Sequence, residues 1–167
     1  MKTRLVSAIL LGAGMLLISN ATTQEISKKK IVPAQPASIA IQAGDIQWVD
    51  GPSSLPKGAR IAILEGNPKE EGPLTMRLKF PADYKIPAHW HPVIEHLTVL
   101  QGTIYFGLGD KLDEKASKEL PVGSYGMVPA KINHFAWTKE ETTIQLHSIG
   151  PWGITYVNPA DDPRNQQ

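Results

Sequence analysis

The stretch Pro87-Ala88-His89-Trp90-His91-Pro92-Val93-Ile94-Glu95-His96 decides how this chain is read. It holds three of the five histidines in 167 residues. In an extended backbone alternate side chains share a face, so His89 and His91 present two imidazoles to one point. Pro92 has no amide hydrogen and favours a turn over a continued strand. A strand resuming at Glu95 can bring a carboxylate to the same point. Nitrogen and oxygen donors converging in this way suit a divalent metal ion. By alternation His96 faces away from Glu95, as a surface or interface histidine.

Working outward, the chain from Asp45 onward is a series of short β-type runs separated by glycine and proline. Strands are expected over residues 46–49, 60–64, 74–80, 95–100, 103–108, 124–128, 134–138, 142–148 and 154–157. Turn residues mark the joints, among them Gly66-Asn67-Pro68, Gln101-Gly102 and Pro121-Val122-Gly123. Many short strands at this spacing read as a sandwich or closed barrel. Residues 111–119 favour a single helical turn and are too short for a free-standing helix. The fold class is all-β.

The spacing H-x-H-x3-E-x6-G runs from His89 to Gly102, and Gly123-x5-Pro129-x4-His134 follows downstream. The two motifs, in this order, resemble the paired motifs of the cupin superfamily. The resemblance covers roughly residues 73–159. It implies a jelly-roll, double-stranded β-barrel holding one divalent metal ion on His89, His91, Glu95 and His134. Iron, manganese, nickel, copper and zinc all accept such donors, and affinity does not choose among them. Asp83 and Lys131 stand where the motifs carry glycine, and Thr138 where the second ends in asparagine. Asn133, which tolerates a left-handed backbone, is expected to take up the bend that Lys131 cannot make cheaply.

The N-terminal part has another character. Lys2 and Arg4 precede an apolar run over residues 5–18, and Ser19-Asn20-Ala21 supplies small residues at a cleavage position. The run is shorter than the ~20 residues a membrane span needs, so residues 1–21 read as a cleaved secretory signal. The mature chain is then periplasmic or secreted, with no stable membrane anchor. Residues 22–44 form a disordered or loosely held arm with Lys28-Lys29-Lys30, residues 45–160 the cupin domain, and 161–167 a C-terminal tail. Formal net charge is +1, with no basic stripe, which excludes nucleic acid as a partner on electrostatic grounds. There are no cysteines, which excludes disulfides, thiolate ligands and cysteine nucleophiles.

Trp90, Phe135 and Trp137 alternate with inward positions and are expected to point away from the metal, into packing or a subunit contact. Leu97, Val99, Ile104, Phe106 and Ala136 are expected to line the barrel. Tyr105 and Tyr125 are within reach of the pocket on this reading, though packing is the commoner use of a strand tyrosine. Exposed sheet edges leave room for a homodimer, with Trp90, Trp137 or the segment around Trp48 near the contact. Two function classes follow. One is a metal-dependent enzyme of oxygenase, decarboxylase or isomerase type, the dioxygenase-like version favoured, acting on a small and anionic chelating molecule. Its candidate acids and bases are His147, Tyr105 and Glu65, none placed by a motif. The other is a non-catalytic metal or small-ligand binding or sensor module.

Overall fold

A computed structural model describes residues 38–166. The signal-peptide expectation and most of the N-terminal arm lie outside the described residues. Alternation of apolar and polar side chains sets the architecture. Along β3 (Gly72–Phe80) Leu74, Met76, Leu78 and Phe80 are buried while Thr75, Arg77 and Lys79 face outward. Strand β10 (Thr142–Gly150) pairs with it antiparallel, setting Ile144 opposite Leu78 and Leu146 opposite Met76. One face of this pair is therefore oily and must find a cover; each such side chain stabilises the fold by about 1.5–3 kcal/mol when fully buried.

The cover is a second sheet. Strands β1 (Val49–Asp50), β2 (Arg60–Glu65), β3, β10, β5 (Glu95–Gln101) and β8 (Tyr125–Val128) form a six-stranded sheet in that order. Strands β11 (Thr155–Tyr156), β4 (Lys85–Trp90), β9 (His134–Thr138), β6 (Thr103–Leu108) and β7 (Lys118–Pro121) form a five-stranded one. Every pairing is antiparallel. Between the sheets lie Leu74, Met76, Leu78, Phe80, Leu97, Val99, Ile144 and Leu146 from one side and Ile86, Ile104 and Ala136 from the other. This is the expected jelly roll.

Several local expectations are corrected. Residues 85–90 and 118–121 are strands that the runs above omit, and the helical turn shrinks to a 3-10 turn at Glu114–Ala116. Residues 161–166 do not trail away. Two 3-10 turns, Pro159–Asp161 and Pro163–Asn165, carry Arg164 back to the carbonyl of Ile154 at 3.3 Å. Lys131 itself adopts a left-handed backbone, at φ 62°, and so does Asp83, at φ 56°; Asn133 does not take the bend. Asn133 instead donates from Nδ2 to Asp110 Oδ1 at 2.7 Å. The amide of Lys131 donates to the carbonyl of His91 at 2.8 Å, so the strained turn ties β9's approach to the end of β4. Thr138, in the asparagine position, donates to Pro81 O and accepts from the Tyr84 amide, which clamps the turn containing Asp83.

Candidate metal centre

Two sheets contribute to the site. His89 lies on β4 opposite His134 on β9, a cross-strand pair in the five-stranded sheet. A β-bulge between Ile86 and His89 puts Pro87 where its missing amide hydrogen costs the ladder nothing. His91 follows the end of β4. The chain then bends at Pro92-Val93 and crosses to the other sheet, where Glu95 opens β5. Pro92 is thus the corner between sheets, and the carboxylate meets the imidazoles from the opposite wall. Ser148 pins the corner by donating to Ile94 O at 2.6 Å.

All four side chains are buried, with residue exposures of 2–6 %. One nitrogen from each of His89, His91 and His134 lies within 4.8 Å of the others, so the three imidazoles can hold a metal ion. Glu95 Oε2 is 3.3 Å from His134 Nε2 and 3.5 Å from His91 Nε2.

The outer nitrogen of each imidazole is held by the main chain. His89 Nδ1 lies 2.7 Å from Pro87 O, His91 Nδ1 2.7 Å from Gly153 O, and His134 Nδ1 2.9 Å from Ile132 O. A carbonyl oxygen only accepts, so each Nδ1 carries a proton, and in the neutral ring each Nε2 keeps a lone pair. Hydrogen bonding of the outer nitrogen fixes tautomer and ring orientation in this way at metal sites generally. Burial lowers the pKa of His89 well below the ordinary value, and the neighbouring His134 and His91 lower it further. Burial likewise lowers that of His91, against the opposing pull of Glu95. Burial alone would raise the pKa of Glu95, but His91, and then His134, each in its protonated form, outweigh it and bring it down to about 2. A cation in this place would stand in for those protons and would meet neutral rings and an ionised carboxylate.

The cavity in front of these groups is about 30 Å³ and partly open to solvent. Apart from His89, His91, His134 and Glu95, its walls are apolar: Leu78, Leu97, Ile104, Phe106, Ala136 and Ile144 among others, with Trp152 stacked on His91 at 4.6 Å between ring centres. A larger groove of about 1030 Å³ carries Lys57, Arg60 and Lys85 but shares only Leu55 with this cavity and has no metal-binding group of side chains.

The other candidate residues are placed elsewhere. His147 and Glu65 lie on the outer face of the six-stranded sheet, and Tyr105 stacks on Trp137 at 4.1 Å on the outer face of the five-stranded one. None of the three lines the cavity. Tyr125 is exposed and pairs with His96 Nδ1 at 2.6 Å, so it too is outside. The outward aromatics are covered by the chain itself: Phe135 is 1 % exposed, and Trp137 Nε1 donates to Ser117 Oγ at 2.9 Å. Sequence reasoning missed Trp152, which no motif contains; only the tertiary bond from its amide to Pro68 O, 2.8 Å, and its stacking on His91 reveal it.

Comparisons with known proteins agree with this geometry. No curated protein matches the chain. Among solved structures it is similar to the polyketide cyclase RemF from Streptomyces resistomycificus, at 16 % identity and a TM-score of 0.62, covering 78 % of this chain and 94 % of that one. It is similar to a candidate acetylacetone dioxygenase from Methylibium petroleiphilum PM1, at 18 % identity and a TM-score of 0.61, covering 80 % and 90 %. An RmlC-like cupin from Shewanella frigidimarina NCIMB 400 shares 15 % identity with a TM-score of 0.53, covering 69 % and 92 %. These likenesses are of fold. The family model of the ChrR Cupin-like domain matches residues 36–152, most of the chain, and the protein belongs to that cupin family.

Proposed function

We propose that this cupin holds one divalent metal ion on His89, His91, His134 and Glu95 and uses it to act on a small chelating molecule, in a reaction of dioxygenase type. The observation that carries the metal reading is the set of three Nδ1–H bonds to main-chain carbonyls, which leaves three Nε2 lone pairs in one buried place. A bound ion would supply Lewis acidity, or a centre for oxygen chemistry, next to the apolar cavity. The chain's own contribution is to aim the donors, keep bulk water out with Leu97, Phe106 and Ile144, and offer Glu95 as the only carboxylate lining the cavity among the described residues.

Two structural relatives, described as an acetylacetone dioxygenase and a polyketide cyclase, support an enzymatic reading. Among the described residues no titratable side chain lines the cavity beyond the four donors, which supports instead a metal or small-ligand binding or sensor module. Elemental analysis of the purified protein, followed by oxygen uptake with Fe(II) and a panel of small dicarbonyl compounds, separates the two. The enzymatic reading expects about one metal per chain and metal-dependent uptake. Stoichiometric metal without uptake or turnover on any substrate leaves the binding module, and no metal at all removes both. Export directed by residues 1–21 and pairing of two copies belong to the same proposal. A secreted mature chain beginning near residue 22, and a dimeric mass, are the expected results.

A further inference from the structure

The cavity in front of the donors, about 30 Å³, is the room of about one water molecule. Small-molecule pockets are usually about 300–1,000 Å³. A chelator therefore needs part of the wall to move, and the neighbouring groove of about 1030 Å³ is large enough to receive one. Leu55 is the one residue that lines both spaces.

Leu55 sits in the middle of the loop from Gly51 to Ala59, which joins β1 to β2. The loop is drawn together at its neck, where the Gly51 amide donates to Ala59 O at 2.8 Å. Pro52, Ser53, Lys57 and Gly58 are exposed, whereas Leu55 is 6 % exposed and joins the core. Two tyrosines hold the main chain on either side of it. Tyr156 OH donates to Ser54 O at 2.8 Å, and Tyr84 OH donates to Pro56 O. One apolar side chain and two hydroxyl bonds thus close this wall. The carbonyls that hold the imidazoles, those of Pro87, Ile132 and Gly153, lie outside the loop, so it can swing with the centre intact. Trp152 also lines the cavity, but Gly153 beside it holds His91, and moving that segment would unseat a donor. We infer that the loop from Gly51 to Ala59 is the gate of the metal cavity, with Leu55 as its plug and Tyr84 and Tyr156 as its latches, and that a chelating ligand reaches the centre from the groove. This rests on the metal reading above.

Two singly charged ligands of different size test the gate: azide, and the bidentate chelator picolinate. Their association with the Co(II)-loaded full protein is followed by stopped-flow absorbance, with metal content determined for each variant. When the open form is a minor population, association of a ligand that needs it follows that population. Leu55→Ala is expected to speed picolinate by at least roughly tenfold. Tyr84→Phe, which keeps the ring stacked on Phe80 and removes the hydroxyl, is expected to speed it by roughly fivefold at unchanged metal content. Azide is expected to need no gate and to bind at the same rate in all three proteins. If Leu55→Ala does not fold, Tyr84→Phe decides. Equal acceleration of azide and picolinate means general loosening and overturns the gate, as do unchanged picolinate rates. A protein that takes up no cobalt overturns the metal reading and this inference with it, whereas stoichiometric cobalt with unchanged picolinate rates overturns this inference alone.

Discussion

The interior and the outer face of the six-stranded sheet each hold histidines, and they use them differently. Inside, three imidazoles give their Nδ1–H to carbonyls and keep Nε2 free. Outside, His147 sits in a chain of side chains. Arg77 Nε donates to Gln145 Oε1, Gln145 Nε2 lies 3.0 Å from His147 Nε2, His147 Nδ1 lies 3.1 Å from Thr75 Oγ1, and Thr75 donates to Glu65. Because the Thr75 proton goes to Glu65, His147 Nδ1 is the donor to Thr75 and its Nε2 accepts from Gln145. His147 thus has the same tautomer as the inner three, yet its lone pair is already used. His96, its cross-strand neighbour, bonds Tyr125. Proximity of histidines does not make a metal site; an unspent nitrogen aimed at a shared point does.

The comparison breaks most readily at the ligands. His134→Ala is expected to lower metal affinity by at least about 100-fold and leave the purified protein nearly metal-free by elemental analysis. His147→Ala is expected to retain the full complement. Equal loss in both variants would place the outer histidine in the site and erase the distinction.

Acid separates the regions next. The folded pKa values of His89 and His91 are lowered, so the unfolded chain binds more protons once pH falls below the ordinary imidazole value, 6.5. Their contribution to stability is complete above that value and declines below it. Glu95, also lowered, acts in the same direction further down, its contribution being lost as pH falls from 4.5 towards about 2. Denaturant titration of the metal-free protein is expected to show lower stability at pH ~5 than at pH ~7.5. A flat profile would mean that the inner imidazoles are not held neutral by burial.

The smallest effect is expected at the turn behind His91. A non-glycine residue at φ 62° is strained by about 1–2 kcal/mol, and glycine gives back part of that gain through its freer unfolded chain. Lys131→Gly is expected to stabilise the protein by about 0.5–1 kcal/mol with unchanged metal content, read from thermal melts and elemental analysis. Destabilisation would show that the lysine side chain does more than fill the turn.

The clustering of His89, His91 and His134 was legible in the sequence because its constraints are local: two residues on one face of an extended segment, a proline corner, and a second motif at fixed spacing. The alternating runs of β3, β5 and β10 were legible for the same reason. Strand β4 was not, since Pro87 argues against a strand unless a bulge takes it in. Strand β7 was not, because on this sheet edge only Leu120 is buried and no alternation shows. The positions of Glu65, Tyr105 and His147 depend on which sheet and which face each strand joins. Trp152 depends on contacts with Pro68 and His91, distant in the chain. Nothing in its neighbours' spacing records them.

Main-chain acceptors at Pro87, Ile132 and Gly153 have a lasting effect on how this protein can change. Side-chain substitution cannot delete a carbonyl, so the aim of the three rings is insulated from most single replacements. The walls carry no such guarantee, and exchanging Phe106, Ile144 or Trp152 alters what fits while the ring geometry stays put. A scaffold of this kind lets ligand preference drift without dismantling the centre that makes it worth having.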